Sequence, residues 1–274
     1  MRFRILLFWG LVALLPARSW HQELFAQEVA KRAEPLCNAH AHNDYEHDIP
    51  LLDALELGFT SVEADVYPVD GELLVAHNRS DVAKERTLDT LYLQPLQRLT
   101  KSSNGRVYPA GPSLTLLVDI KVDGATAYRL LDKLLSNYSE MVSQTVDGQY
   151  VEKAVTVIVS GDRPIQEMAA SNPRYAGIDG RIADLESDES PSMLPLISDN
   201  WSKHFTYRGQ GEMSSAEREK LVEIVEKVHA KKRRIRFWGT PESELFWKEL
   251  KSANVDLIGT DKLRQLAKFL ETPR

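Results

Sequence analysis

The sequence predicts an α/β fold, a (βα)₈ TIM barrel in a single domain that follows an N-terminal signal peptide. Strand-like apolar runs alternate with segments of helical periodicity along most of the 274 residues, and the connections between them are short. About eight such units close into a barrel. The alternative is an open doubly wound sheet, but that fold typically has a glycine-rich first turn. The first turn here, within 38–48, reads NAHAHNDYEHD and is rich in histidine instead.

Residues 1–19 have the pattern of a secretory signal peptide. Arg2 and Arg4 precede the apolar run ILLFWGLVALL, and small residues follow at Ala17 and Ser19. An uncleaved anchor or a buried helix is the alternative, but the apolar run is shorter than the about 20 residues that cross a bilayer. We therefore expect an exported protein, periplasmic or secreted, with no stable membrane anchor after cleavage.

The remaining chain is divided into a polar leader at 20–35 and the barrel domain at 36–274. With 27% charged and 43% hydrophobic residues, the chain can bury a full core. Its net charge of −6 argues against a nucleic-acid partner. The basic run KKRR at 231–234 is interpreted as the solvated C-terminus of a helix. Cys37 is the single cysteine, which excludes an intrachain disulfide, and we expect it to be buried at the start of a strand.

In the first half of the barrel domain, each element has a local signal. Apolar runs predict the strands, and a 3.6-residue periodicity predicts the helices. Gly58 ends the first helix, and Asp70-Gly71 is a turn signal that joins two strands in a hairpin. The predicted elements are strand 36–42, helix 50–58, strands 60–69 and 71–77, helix 88–102, strand 114–121 and helix 124–142.

The second half continues the alternation, with weaker strands at its centre. Its most periodic helix begins with a serine N-cap at Ser214 or Ser215. The predicted elements are strand 154–161, helix 164–171, weak strands 175–180 and 194–199, helix 215–232, strand 234–240, helix 242–254, strand 255–260 and a last helix from Asp261.

Polar clusters lie at the C-terminal ends of the early strands, where barrel enzymes carry their active sites. Since successive strand residues face opposite sides, residues two apart project to the same side. Carboxylates on the inward face are costly to bury unless a cation meets them. We predict that Glu63, Asp65 and Asp119 bind a divalent cation, Mg²⁺ or Ca²⁺, because such ions prefer oxygen ligands. The clusters are His40-x-His42, Glu63-x-Asp65, His77 and Asp119-x-Lys121.

Each cluster has a structural alternative. A single histidine of the first pair could be a hydrogen-bonded core residue, and Asp119 alone could cap a turn. The two carboxylates of the second strand could be neutralised by Lys121 and Arg79 in a structural network. These alternatives would have to hold at four strand ends together, always on the inward face, so the pattern favours a functional site.

The ordered set of clusters resembles the glycerophosphodiester phosphodiesterase and phosphatidylinositol phospholipase C superfamily. Its pattern is a histidine at the first strand, Glu-x-Asp at the second, a histidine about a dozen residues on, and an acidic-x-Lys strand. The HxHNDY opening resembles the branch of the fungal altered inheritance of mitochondria protein 6, and Asp-x-Lys is similar to the spider-venom phospholipase D branch. RIRFWGT and LIGTDKL are similar to the superfamily's late strands. The His-Arg-Gly and Pro-Glu-Asn-Thr segments usual in glycerophosphodiesterases are not in the sequence.

The resemblance implies a PI-PLC-like TIM-barrel phosphodiesterase, a phosphoric diester hydrolase acting on a glycerophosphodiester or phospholipid-type substrate. The bound cation and Lys121 would neutralise the phosphoryl group. His42 or His40 on one side of the phosphorus and His77 on the other would act as general acid and base, since imidazole titrates at about pH 6.5. His42 is favoured because its spacing to Glu63 better matches the phospholipase D branch. Attack by a substrate hydroxyl, through a cyclic phosphate, and attack by water are both compatible with the sequence.

Trp238 at the end of the seventh strand could pack against the substrate's alcohol, or could belong to the core. Two other classes of protein remain as alternatives. An amidohydrolase-like metallohydrolase also opens with His-x-His, but it needs histidines at strands five and six, and YAGIDG and LPLISD contain none. A catalytically silent ligand-binding barrel would keep the fold without turnover.

Overall fold

The computed structural model describes residues 33–271, so the predicted signal peptide at 1–19 and most of the leader at 20–35 lie outside the described residues. The strands of the described part are, in chain order, β1 (Leu36–Ala41), β2 (Phe59–Val69), β3 (Glu72–Val75), β4 (Leu114–Ile120), β5 (Gln144–Val146), β6 (Gln149–Val151), β7 (Val155–Gly161), β8 (Ala176–Gly180), β9 (Leu196–Asn200), β10 (Arg234–Trp238) and β11 (Leu257–Thr260).

Eight of these strands form a closed parallel barrel. Around it the order is β1, β2, β4, β7, β8, β9, β10 and β11, and β1 pairs with both β2 and β11. This closure confirms the predicted TIM barrel and excludes the open doubly wound sheet, because an open sheet leaves two strands unpaired on one side. The C-terminal strand ends therefore meet around one mouth.

Helices follow most of the barrel strands and form the outer layer. Two are shorter than their predictions: the helix predicted at 50–58 has five residues, and the helix predicted at 124–142 ends at Ser136. A π-helical turn, Asp89–Leu93, opens the helix predicted at 88–102. The α-helices of the described part are Leu52–Glu56, Gln94–Ser102, Gly124–Ser136, Ile165–Ala170, Ser215–Ala230, Glu244–Ser252 and Leu263–Glu271.

Two hairpins interrupt the alternation. The predicted turn at Asp70-Gly71 joins β2 to the antiparallel β3, with positive φ at both residues, as a type I′ turn requires. A second hairpin, β5–β6, was not predicted. It turns at Asp147-Gly148, again with positive φ at both residues. The same Asp-Gly signal could therefore have revealed it.

Two sequence-based interpretations of burial are wrong. Arg233, in the basic run at 231–234, is only 2% exposed, and its guanidinium donates to three backbone carbonyls of the 184–189 segment. Arg234 points into the barrel and donates to Thr115 Oγ1. The run therefore continues from the helix end into a strand. Cys37 is exposed because it lies at the N-terminal end of β1, before the strand becomes buried.

The hydrophobic core has two parts. On the outward face of β2, Val62, Ala64 and Val66 are fully buried between the barrel and its helices. Inside the barrel, Leu117, Ile158, Leu196 and Leu257 form an apolar cluster. On β4, Asp119 lies two residues beyond Leu117 towards the mouth, so charged groups follow this apolar cluster. Within 33–271, no helix combines the length and the apolar character needed to cross a membrane.

Candidate active site

Three carboxylates from two adjacent strands converge at the mouth. Glu63 and Asp65 extend inward from β2, and Asp119 extends inward from β4, directly opposite Asp65 in the strand register. One oxygen from each of the three lies within 4.8 Å of the others. Glu63 is 5% exposed and Asp65 is fully buried. The structure therefore brings the three predicted ligands together.

The carboxylate cluster has the features expected of a divalent-cation site. Asp65 Oδ1 is buried and has no hydrogen-bond partner among the described residues, although an unsatisfied buried acceptor costs about 1–3 kcal/mol. Burial also raises the pKa of Asp65 and of Asp119, against the opposing charge of Lys121. Closely spaced carboxylates with a free oxygen form the hard donor set that Mg²⁺ and Ca²⁺ bind.

Lys121 and Arg236 are the cations in contact with this cluster. Lys121 Nζ lies 2.7 Å from Asp65 Oδ2 and 3.1 Å from Asp119 Oδ2. Arg236 Nη2, on β10, lies 2.7 Å from Glu63 Oε2. Lys121 was correctly proposed as a partner, whereas Arg79 was not: its guanidinium lies over the Tyr67 ring instead.

His40 is a buried support for Glu63. Its Nε2 lies 2.9 Å from Glu63 Oε2 and its Nδ1 lies 2.7 Å from Ser61 Oγ. Burial and the charge of Arg236 lower the pKa of His40 to about 3, so its ring is neutral. Because an ionised carboxylate only accepts hydrogen bonds, Nε2–H donates to Glu63 and Nδ1 accepts from Ser61. Both nitrogens are therefore occupied.

The ionised form of Glu63 follows from its contacts. Burial by itself would raise the pKa of Glu63, but the charge of Arg236 and the hydrogen bond from His40 lower it well below its usual range. Glu63 is therefore a carboxylate with one oxygen, Oε2, held by two donors.

His42 lies one step further along the same face of the chain, at the mouth. Its Nδ1 lies 2.7 Å from Asp261 Oδ1, and its side chain is 36% exposed. Although burial lowers the pKa of His42, the hydrogen bond to Asp261 and the charge of Glu63 raise it above the usual value. With Nδ1–H donated to Asp261, Nε2 is left for a substrate. This geometry favours His42 over His40 for proton transfer.

His77 reaches the cluster from beyond β3. Its Nδ1 lies 3.3 Å from Asp65 Oδ2 and 3.2 Å from the Tyr45 hydroxyl. Tyr45 in turn donates to Asp65 at 2.6 Å. The Tyr45 hydroxyl lies within hydrogen-bond distance of Asp65 Oδ2 and of Asn43 Oδ1, so its oxygen can accept from His77 Nδ1–H. In that tautomer Nε2 is the acceptor nitrogen of the ring, and the side chain is half-exposed.

Tyr45, Asp261 and Arg236 were not identified as site residues from the sequence. Arg236 had a usable signal, because it alternates with Arg234 and Trp238 on one face of a predicted strand. Tyr45 and Asp261 had none, because they lie in a 3₁₀ turn and just after a strand, where no alternation applies. The 3₁₀ turn that carries Tyr45 also contains Asp44, a fully buried carboxyl that accepts from Leu51 N and Tyr92 Oη.

A cavity of about 150 Å³ adjoins His42 between the ends of β10 and β11. Arg236 and Trp238 line it, together with Glu242 and Asp261. Trp238 is 38% exposed, which excludes the core position that the sequence left open and leaves its ring accessible at the cavity.

Comparison with known proteins identifies the family. Residues 27–178 match the model of the AIM6-like phosphodiesterase domain, which is more than half of the chain. The chain belongs to this family. Its members include altered inheritance of mitochondria protein 6 of Eremothecium gossypii, 29% identical over 85% of this chain and 69% of that protein, and the homologue in Arthroderma benhamiae, 28% identical over 81% of this chain and 80% of that protein.

Solved structures confirm the fold. The glycerophosphodiester phosphodiesterase from Parabacteroides distasonis superposes with a TM-score of 0.52 at 16% identity, over 87% of this chain and 98% of that one. The corresponding enzyme from Agrobacterium tumefaciens gives a TM-score of 0.52 at 14% identity, over 86% of this chain and 100% of that one. The predicted resemblance and the barrel are thus confirmed, while the roles of the individual site residues stay predictions.

Proposed function

We propose that this protein is a metal-dependent phosphodiester hydrolase that acts on a glycerophosphodiester or phospholipid-type substrate. Membership of a phosphodiesterase-domain family supports the reaction class. One observation carries the proposal: three carboxylates with an unsatisfied buried oxygen share the barrel mouth with two histidines whose Nδ1 atoms are engaged and whose Nε2 atoms have no partner among the described residues. That arrangement matches the needs of a phosphodiester anion, which are charge neutralisation and two proton transfers.

Glu63, Asp65 and Asp119 would hold a divalent cation, Mg²⁺ or Ca²⁺. When bound, the cation supplies positive charge to a phosphoryl oxygen and makes a hydroxyl group more acidic. Lys121 keeps Asp65 and Asp119 in place through its two contacts and adds a positive charge near the phosphate.

The two histidines would divide the proton transfers between them. His42, paired with Asp261 and with its pKa raised, favours the protonated form and would protonate the leaving alkoxide as general acid. His77 donates Nδ1–H to the Tyr45 oxygen, and in this neutral tautomer its Nε2 would take the proton of the attacking hydroxyl or water as general base. His40 would position Glu63 rather than transfer protons, since both its nitrogens are occupied.

A turnover assay tests the proposal. Purified protein is incubated with bis-p-nitrophenyl phosphate, with Mg²⁺, with Ca²⁺ and with EDTA. We expect release of nitrophenol that depends on the added cation. No turnover under any condition would favour the silent ligand-binding barrel, and turnover unaffected by EDTA would remove the metal from the mechanism.

A screen of glycerophosphodiesters, lysophospholipids and inositol phosphodiesters then defines the substrate. The cavity beside His42 is lined by the exposed Trp238, so we expect activity to vary with the alcohol on the leaving side. Equal rates for all three classes would contradict a role for this cavity in selection.

We also propose export of the protein through the signal at 1–19. The basic, apolar and small-residue segments of the sequence support it. Sequencing the N-terminus of protein recovered outside the cytoplasm should show cleavage near Ser19. An intact N-terminus would contradict this.

A further inference from the structure

The acidic cluster already contains cations of its own. Arg236 contacts Glu63, and Lys121 contacts Asp65 and Asp119. Lys121 was expected from the Asp-x-Lys pattern, but Arg236 comes from the opposite half of the chain and from another strand. Its position therefore needs an explanation of its own.

Arg236 is held tightly within the barrel. It is 4% exposed, and its Nη2 binds Glu63 Oε2, the same oxygen that His40 Nε2 contacts. These two donors fix the Glu63 carboxylate at Oε2, and none of the hydrogen bonds among the described residues reaches Oε1. A guanidinium does not lose its proton in a protein, so this charge is permanent.

The charge balance of the cluster depends on that guanidinium. Three carboxylates and two cations leave one net negative charge, with the histidines set aside. A divalent cation would change this to one net positive charge, which a phosphodiester monoanion then neutralises. Without Arg236 the loaded cluster would be neutral and would not attract an anionic diester by charge.

We propose that Arg236 is a built-in counter-cation of the metal site: it orients Glu63, weakens the binding of a divalent cation, and gives the loaded site the positive charge that a phosphodiester requires. This inference rests on the proposed function. Arg236 is therefore a positioning and specificity residue, and its removal should move the affinities for cation and diester in opposite directions.

Arg234 offers a matched control on the same strand. It lies two residues earlier and faces the same side, and its guanidinium is also inside the barrel. However, it donates to Thr115 Oγ1 rather than to the carboxylate cluster. A change at Arg234 removes an equivalent charge without touching Glu63.

Calorimetric titration of the metal-free protein with MgCl₂ and CaCl₂ tests the proposal. Arg236→Gln should bind the better of the two cations about tenfold more tightly than the wild type, because one positive charge beside a divalent ion has been removed. Arg236→Lys, which keeps the charge, and Arg234→Gln should stay within about twofold of the wild type. In the presence of saturating cation, Arg236→Gln should raise the KM for bis-p-nitrophenyl phosphate.

The outcomes separate this inference from the proposed function. Tighter cation binding together with a higher KM supports the inference, since a merely structural role would weaken both. The inference is overturned if the wild type binds the cation and a folded Arg236→Gln, with a wild-type circular dichroism spectrum, binds it equally or more weakly. The hydrolase proposal would still stand in that case. If neither wild type nor variant binds a cation, the metal site itself is rejected. If Arg236→Gln does not fold, Arg236→Met takes its place in the comparison with Arg236→Lys, under the same criteria.

Discussion

The two sides of the barrel mouth differ in the number of buried carboxylates that they bring together. On the β2–β4 side, three carboxylates face one another, and Asp65 keeps a buried oxygen without a partner. On the β7–β9 side, Asp179 stands alone, and its Oδ2 accepts from Ser160, Ser198 and Arg181 at 2.6 to 2.9 Å. Asp179 Oδ1 is likewise buried without a partner among the described residues. The two sides therefore differ in the number of carboxylates that face one another: three on the first side, and one, paired with Arg181, on the second.

This difference distinguishes a binding site from a structural network. A buried carboxylate that has its own donors is costly to remove, because its donors are then left without an acceptor. Several carboxylates that face each other destabilise the fold until a cation arrives. Burial alone is therefore a poor indicator of function, and the arrangement of the donors decides between the two.

The largest effect on activity should come from replacing the two histidines near the β2–β4 side, His42 and His77. We expect His42→Ala and His77→Ala each to lower kcat/KM for bis-p-nitrophenyl phosphate by at least about 100-fold, the usual contribution of a general acid or base. His204, which lies 3.1 Å from Asp199 near the end of β9, is the control, and His204→Ala should leave activity nearly unchanged. A fully active His42→Ala, His77→Ala double variant would remove the assignment.

The affinity for a divalent cation should depend on the carboxylates of the β2–β4 side only. Glu63→Gln should weaken binding of Mg²⁺ or Ca²⁺ by about tenfold or more, because a ligand charge is lost. Asp179→Ala should leave the affinity as it is in the wild type. Calorimetric titration of both variants checks this, and an equal loss of affinity in both would mean that the two sides do not differ in this respect.

The free energy of unfolding should depend more on Asp179 than on Glu63, which is the reverse of the expectation for cation affinity. Asp179→Ala leaves two serine hydroxyls without their buried acceptor and removes the carboxylate partner of Arg181, and should lower the free energy of unfolding by about 3 kcal/mol. Glu63→Gln should change it less, since the amide oxygen still accepts from His40 and Arg236 and one of three facing negative charges is removed. Urea denaturation measures both, and a larger loss in Glu63→Gln would reverse the distinction.

The pH profile should report the His42–Asp261 pair. The pKa of His42 is raised, so the protonated acid persists to higher pH than in a free histidine. Asp261→Asn removes the carboxylate charge, lowers the pKa of His42, and should move the alkaline limb of kcat/KM to lower pH. The profile of wild type and variant between pH 5 and 9 tests this, and a limb that stays in place would assign it to another group.

A further pH effect concerns the stability of the fold and arises from Asp44, the buried chain neighbour of Tyr45. Burial raises the pKa of Asp44 to about 7, whereas an unfolded aspartate titrates at about 3.9. The folded state therefore binds the proton more tightly, and stability should fall as pH rises from about 4 to about 7. Asp44→Asn should reduce that slope, as thermal melting at pH 5 and pH 8 would show; an unchanged slope would contradict it.

The sequence by itself determined the eight strands of the barrel, the hairpin at Asp70-Gly71 and the inward face of Glu63 and Asp65. These features depend on alternation and on turn chemistry, which are properties of neighbouring residues. The alternating order of strands and helices along the chain was enough to predict a barrel without any knowledge of long-range contacts.

The tertiary structure alone decided how deep each group lies and which distant residues meet. His40 and His42 share one face, and only the barrel's closure shows that His40 is buried under Glu63 while His42 reaches the mouth beside Asp261. Arg236 meets Glu63 for the same reason, because β10 and β2 face each other across the interior. Such contacts depend on how all eight strands are staggered, and no local pattern carries that information.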